Sequence, residues 1–588
     1  MPLAVLVGLL LLVQLISTSD GDPIVKTIHS DLRGLYMDVE GNRVSAFLGV
    51  PFAMPPTGSR RFAKPTPITE YQGEIKAQTL SKTCFQTPDS AFPGFPGAEM
   101  WNAPTELSED CLYLNIWAPE NPTSNVIVWI YGGGFFSGSP SLALYNGSVL
   151  AAKTRSIIVN INYRLGPFGF FYLGEDSPAP GNVGLLDQQL ALQWIQDNIN
   201  SEYFGGDAKR VTLFGESAGA ASVSSHLLAP DSRRLFSKAI LNSGSMLNIW
   251  ADRTPCKQLN FSLTMAKNLG CIDNFEMKPK RKPGRCTAKG VDDQKVFKCL
   301  NNVPTAKIQA AADELYSMVL PLEFPFGPIT FDLNYFKGDF RNKLSNGNFK
   351  KNAPIFIGTM KDEGTYWLPY YLSNTGFSFD PSKGADSPDN AALIDENNYI
   401  ASIETFMGYF DNNARAKKIL LDGYRDVSSG ETQYRDGVAR FVSDFFFTCD
   451  VMNFVDELMW SSTAPVYMYF LTASLRSSAN PWPKWMGAMH GYDIEYEFGQ
   501  PFFNASLYHG DLAEQQRISN YFIGLIDDFI NDRLYKKWPT YDDVSAKTLI
   551  IDENVTKGKY YVKRKLHKKY CRIIAKAIKA AGKGDTLS

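Results

Sequence analysis

Short runs of apolar, often β-branched residues recur along this chain and alternate with segments of helical period. Val211-Thr212-Leu213-Phe214 predicts a buried strand, and Ala218 to Leu228 behind it predicts a helix. Leu112 to Ala118, Val126 to Ile130, Ser156 to Tyr163 and Ile355 to Gly358 read as further buried strands. Gln188 to Ile199 carries a helical repeat ending near Asn200. Asp31 to Phe62 mixes short apolar runs with Gly and Pro, which predicts an N-terminal hairpin region. Thr83 to Asn102 reads as a Pro- and Gly-rich loop, bounded by Cys84 and closed just beyond by Cys111. Strands alternating with helices imply an α/β fold, a large and mostly parallel central sheet flanked by helices. There is no internal repeat and no linker long enough to separate two domains, so one large domain is the simplest account.

The chemistry gathers where that first strand meets its helix. Gly215-Glu216-Ser217-Ala218-Gly219 has the nucleophile-elbow pattern, in which a sharp turn presents a serine at the head of a helix. A serine hydroxyl needs a base to take its proton and a carboxylate to orient that base. The chain has five histidines: His29, His226, His490, His509 and His567. In α/β-hydrolases the chain order is Ser, acid, His, which removes His29. His226 lies on the same helix as Ser217 and cannot fold back onto it. His567, in Arg564-Lys565-Leu566-His567-Lys568-Lys569, reads as part of a solvated face. His490 lies in a small-residue turn and is favoured by position over His509. For the acid, Asp362 and Glu363 follow the strand at Ile355, and spacing leaves the two equal. Gly132-Gly133-Gly134 directly after the strand Val126 to Ile130 would expose backbone N–H groups, which with that of Ala218 make an oxyanion hole.

With 588 residues, 59 basic against 61 acidic, the chain can bury a large core, and no overall field points to nucleic acid. Met1 to Ile16 is a continuous apolar run followed by Ser17-Thr18-Ser19-Asp20-Gly21, which reads as a secretory signal over residues 1–20. It lacks the usual Lys or Arg before the run. An uncleaved anchor is the alternative, although the run is short for a bilayer span. Eight cysteines then imply disulfides, and sequons at Asn146, Asn260, Asn504 and Asn554 agree with export. Met277 to Arg285 reads as a basic loop that cannot fold alone. From Lys557 onward there are eleven Lys or Arg, opposed only by Asp585.

Together these residues resemble the type-B carboxylesterase family, in its cholinesterase branch, from about Phe47 to Cys571. The most specific stretches are Glu109-Asp110-Cys111-Leu112-Tyr113-Leu114-Asn115, Phe214 to Gly219, and Trp482 to Tyr492. The resemblance implies the α/β-hydrolase fold with a deep active-site gorge in a single domain, residues 21–575, and a short basic tail, 576–588. It selects Glu363 as acid and His490 as base beside Ser217, with oxyanion donors at Gly133, Gly134 and Ala218. It also implies a choline site at Trp101, Glu216 and Tyr366, because a quaternary ammonium donates no hydrogen bond but is attracted to an indole face. Trp250, Leu322, Phe324 and Trp367 match the acyl pocket, Leu322 standing where a bulky phenylalanine restricts vertebrate relatives to acetyl esters. At the gorge rim Thr87 and Phe136 stand at aromatic positions, Asp89 is retained, and no Trp occurs from residue 251 to 366. Peripheral-site binding is therefore expected to be weak.

The implied disulfides are Cys84–Cys111, Cys271–Cys299 and Cys449–Cys571, which leaves Cys256 and Cys286 to pair around the basic insert. No metal and no cofactor are expected. The chain most resembles cholinesterases secreted by parasitic nematodes, which implies a secreted, unanchored monomer acting on choline esters. The basic tail is a candidate glycosaminoglycan contact, a solvated helix face being the blander reading. The competing reading is a generalist carboxylesterase acting on uncharged esters. A third, an adhesion protein of this fold, is disfavoured because such relatives have lost the serine.

Overall fold

In the computed structural model, described for residues 21–583 apart from 201–203, 281–283, 473–475, 511, 537 and 543, a central sheet of 11 strands runs through the molecule. The expected secretory signal, residues 1–20, lies outside the described residues. The strands are β1 (Leu35–Val39), β2 (Asn42–Pro51), β3 (Tyr113–Pro119), β4 (Val126–Ile130), β5 (Ile157–Ile161), β6 (Val211–Glu216), β7 (Lys238–Asn242), β8 (Ile355–Met360), β9 (Val466–Leu471), β10 (Lys547–Ile551) and β11 (Tyr561–Arg564). Their spatial order is β1-β2-β3-β5-β4-β6-β7-β8-β9-β10-β11. Neighbours from β5 through to β10 pair in parallel, whereas β1, β2 and β3 at one end and β11 at the other run antiparallel. The central strands are unbroken apolar runs because helices cover both sheet faces, and every residue of β4, β6 and β7 is buried.

Chain order reverses at β4, which has β5 on one side and β6 on the other. Ligand crevices open outside the carboxyl ends of strands at such a switch point. Here the ends of β4 and β6 carry the glycine run and Ser217. Helix α1 (Val183–Asn198) and helix α2 (Ala218–Leu228) follow in the chain, and α1 begins five residues earlier than the periodicity at Gln188 suggested. Asp187 on α1 is fully buried and receives both guanidinium arms of Arg164, at 2.8 and 2.7 Å. That pair ties the loop after β5 to the helix.

Four disulfides are present: Cys84–Cys111, Cys256–Cys286, Cys271–Cys299 and Cys449–Cys571. Two of them change the reading of the basic insert. Instead of a loop, Glu276–Pro279 pairs antiparallel with Cys286–Lys289, a hairpin stapled to its surroundings at Cys256 and beside it at Cys271. The expected tail boundary at 575/576 also moves. Residues 576–580 belong to a helix, Lys568–Ala580, whose Ile574, Ala577 and Ile578 are buried against the body. His567 is likewise not on a solvated face. Its side chain is only 7% exposed, 3.5 Å from the Asp444 carboxylate and tilted against Phe470, with ring centroids 4.5 Å apart.

Removing one partner of a buried ion pair leaves the other charge without compensation, at roughly 3–5 kcal/mol. Asp187→Ala is therefore expected to lower the unfolding free energy, measured by denaturant titration, by an amount in that range. A loss below about 1 kcal/mol, at the level of an exposed pair, would show that the buried Arg164–Asp187 contact does not hold the fold.

Candidate active site

Ser217 sits at the junction of β6 and α2 with φ 57° and ψ −123°, a backbone conformation that L-residues rarely adopt. Two contacts hold it there. Its N–H donates to the Asn242 carbonyl at the end of β7, at 2.8 Å. The first turn of α2 presses so closely on β4 that a Cβ on Gly219 would lie 1.9 Å from the Ile130 carbonyl oxygen. Only glycine fits, which is why the elbow pattern demands it there.

The other two members reach Ser217 from the ends of other segments. His490 Nε2 lies 2.8 Å from Ser217 Oγ, and His490 Nδ1 lies 2.7 Å from Glu363 Oε2. Glu363 stands just beyond β8, where the Met360 N–H donates to its second oxygen at 2.8 Å. Asp362, the alternative acid, points elsewhere: its carboxylate accepts from the Ala488 N–H at 3.2 Å and steadies the loop that carries His490. The remaining histidines are elsewhere. His226 is buried among Ser232, Gln188 and Tyr335, and His509 is exposed.

Facing Ser217, Gly133 and Gly134 have φ 103° and 58°. Among the described residues, no protein acceptor takes the backbone N–H of Gly133, Gly134 or Ala218. Three donors with no internal partner beside a serine hydroxyl can stabilise an oxyanion that develops on a carbonyl.

All of this opens into a cavity of about 560 Å³ that also receives Trp101, Glu216, Tyr366, Trp250, Leu322, Phe324 and Trp367. On one side Trp101 abuts the His490-Gly491 turn and meets Tyr492 edge to face, its ring centroid 6.3 Å away. Tyr366 shares a 3.3 Å hydroxyl contact with Tyr370, which donates to Asp89 at 2.7 Å. On the other side Trp250 donates its indole N–H to the Phe446 carbonyl, and Leu322 holds a left-handed backbone (φ 62°) within a loop that Arg253 braces at the Phe324 carbonyl. At the rim, Thr87 donates to Asp313 and Phe136 packs on Phe324, with centroids 4.7 Å apart. The four sequon asparagines lie outside the cavity lining and are half-buried.

Several lining residues escaped the sequence. Tyr316, 37% exposed, meets Phe136 edge to face at the mouth, so the rim keeps an aromatic pair even without a Trp. Phe447 lies 4.4 Å from the His490 ring. It belongs to a π-helical turn, Asp444–Thr448, a local irregularity that often marks functional sites. The run Phe445-Phe446-Phe447 was its one visible signal.

Charge is concentrated around the imidazole. Glu216 Oε1 is 3.2 Å from His490 Nε2, and both residues are buried. Burial alone would lower the His490 pKa, but Glu216, Glu363 and Asp493 outweigh it and raise it to about 9. Burial pushes Glu216 up, to about 8, against the pull of His490. Behind them Asn242 donates its side-chain amide to Glu497, at 2.8 and 2.9 Å, and to Asp493 at 3.2 Å.

Fold and constellation define a serine hydrolase of the α/β-hydrolase class. The carboxylesterase family model matches residues 21–574, and the chain belongs to that family. It is 40% identical over 500 residues to acetylcholinesterase 4 of Caenorhabditis briggsae, covering 82% of this chain and 78% of that one. To the cholinesterase of Mus musculus it is 41% identical over 494 residues, 82% and 75% of the two chains. To the acetylcholinesterase of Bungarus fasciatus it is 39% identical over 504 residues, 84% and 77%. Cholinesterase-type ester hydrolysis is the activity these relatives share with the site.

Removing the charge of Glu216 removes one of the carboxylates that favour the imidazolium, 3.2 Å from its Nε2, so the neutral base should persist to lower pH. Glu216→Gln is expected to move the acid limb of kcat/KM for a neutral ester toward lower pH. An unmoved acid limb would mean that Glu216 does not set the His490 titration.

Proposed function

We propose that this protein is a secreted serine esterase that hydrolyses acetylcholine to choline and acetate through an acyl-enzyme, and that it also accepts butyrylcholine. The observation that carries this reading is a single cavity in which the Ser217–His490–Glu363 hydrogen-bond chain faces both an indole and a buried carboxylate. Ser217 Oγ attacks the ester carbonyl while His490 Nε2 takes its proton. Glu363 orients the imidazole and stabilises its cationic form. The carbonyl oxygen becomes an oxyanion received by the N–H groups of Gly133, Gly134 and Ala218. Collapse of that intermediate expels choline, which takes the proton from His490. Water then attacks the acetyl-serine with His490 again as base, and acetate leaves. Four disulfides and four sequons support export.

Trp101 holds the quaternary ammonium against its ring face, with Glu216 and Tyr366 completing that side. The cation does more than bind. Its positive charge disfavours a second one on the nearby His490 imidazole, so substrate binding favours the neutral base.

Acetylthiocholine, butyrylthiocholine and a neutral aryl ester, compared on purified protein, test the reading. Ser217→Ala should abolish turnover of all three, and Trp101→Ala should raise KM for the thiocholines while sparing the aryl ester. Equal losses on both ester classes would reduce Trp101 to a packing residue and leave a generalist carboxylesterase.

The acyl wall makes a separate prediction. A methylene in a hydrophobic pocket discriminates by about 1–3 kcal/mol, and Leu322 is the smallest side chain in this wall. Leu322→Phe should lower the butyryl-to-acetyl ratio of kcat/KM by roughly ten-fold or more. A ratio that stays put would assign the limit to Trp367 instead.

A further inference from the structure

The C-terminal segment carries charge that the catalytic site does not use. Lys557 to Lys583 contains eleven of the chain's 59 basic residues and no acidic one, which leaves 48 basic against 61 acidic elsewhere, a formal −13. In the helix Lys568–Ala580, here α3, the residues Lys569, Arg572, Lys576 and Lys579 recur at intervals of three and four. That spacing puts them on one helix face, about 15 Å end to end at 1.5 Å per residue, and all four are exposed. Among the described residues none of the four forms an ion pair, and in the whole segment Lys583 alone among the Lys and Arg residues reaches a carboxylate, that of Asp411. Lys563, Arg564 and Lys565, on β11 and just past it at the sheet edge, extend the basic surface.

Nor is the stripe on a loose tail. The opposite face of α3 is buried through Ile574, Ala577 and Ile578, and Cys571 is bonded to Cys449. The helix Ala414–Tyr424 approaches so closely that a Cβ on Gly423 would lie 2.6 Å from Ile573. The cations are therefore presented in a fixed row, and little ordering entropy is lost when a partner docks.

We infer that this row is a binding surface for a linear sulfated polysaccharide. Unpaired cations at helical spacing match a chain that repeats sulfate and carboxylate groups along its length, each contact gaining from charge assistance. The disulfides favour a compartment where such glycans, rather than nucleic acids, are the polyanions met. The stripe carries no large apolar side chain to insert into a bilayer, although Tyr560, Tyr561 and Val562 beside it are exposed.

The test is retention of the full-length protein on immobilised heparin, against a variant with Lys569, Arg572, Lys576 and Lys579 all changed to Gln. Unaltered protein should be held at about 0.15 M salt, where surface charges are screened beyond about 8 Å, and should pass through a column of desulfated heparin. The variant should elute at no more than half the salt needed for the unaltered chain, with its esterase rate unchanged as proof of folding. Passage of the unaltered protein at 0.15 M, or co-elution of the two proteins, would overturn the proposal. So would stronger capture by phosphatidylserine vesicles or duplex DNA than by heparin, which would assign the surface to a membrane or to nucleic acid.

Discussion

Everything in the site depends on how closely α2 is pressed against β4. A helix can follow β6 at that angle only if its first turn carries no Cβ at Gly219, because the Ile130 carbonyl occupies that space. The contact forces Ser217 into a conformation that costs on the order of 1–3 kcal/mol. The cost is met by the sheet, since the Ser217 N–H is held by Asn242 on β7 while Gly215 and Ile130 are register partners on β6 and β4. The nucleophile's position is thus a property of three parallel strands rather than of a loop. The same closeness brings the glycine run after β4 to the front of Ser217, so nucleophile and oxyanion donors are fixed together.

The second constraint is electrostatic. Glu216, Glu363, Asp493 and Glu497 are buried within one wall, and among the described residues no Lys or Arg pairs with any of them. Burial holds Glu497 well above the usual carboxylate range and raises Asp493 to about 6, so part of this charge is stored as neutral acid. What remains favours positive charge, either as a proton on His490 or as a cation in front of Trp101. A neutral ester offers the wall no such charge. On the proposed reading, this is the physical reason that an aromatic and largely apolar cavity would take a quaternary ammonium.

How much could be read beforehand follows from which interactions are local. The strands at Val126 and Val211 were legible because strands buried on both faces are continuous apolar runs, and the elbow because its pattern is contiguous in sequence, even though Gly219 answers to the Ile130 carbonyl on β4. Choosing between Asp362 and Glu363 was not local. Both follow β8, and the choice turns on the Met360 N–H drawing Glu363 inward while Asp362 braces the loop at Ala488. His567 misled because its neighbours in sequence are cationic while its neighbours in space, Asp444 and Phe470, lie about a hundred residues away. Basic composition likewise hid the hairpin at Glu276–Pro279, which exists because disulfides hold it. Tyr316, and the role of Phe447 beyond its run of three phenylalanines, escaped for the same reason: the cavity rim and the pocket beside His490 are assembled from segments that share no pattern.

The distribution of charge links the two ends of the molecule. Among the described residues none beyond Gly491 lines the cavity, so the described part of the basic segment after Lys557 contributes nothing to its walls. Were its cations spread evenly over the surface, they would cancel most of the negative potential of the remaining chain and weaken the attraction of a cationic substrate toward the mouth. With most of them on or just past β11 and on the docked helix α3, they leave Asp89 and Asp313 as the charged groups at the entrance. Screening within about 8 Å at physiological salt keeps the two fields separate. On the proposed reading, a basic surface and a site for a cationic ester can therefore coexist on one chain because they are built on different elements.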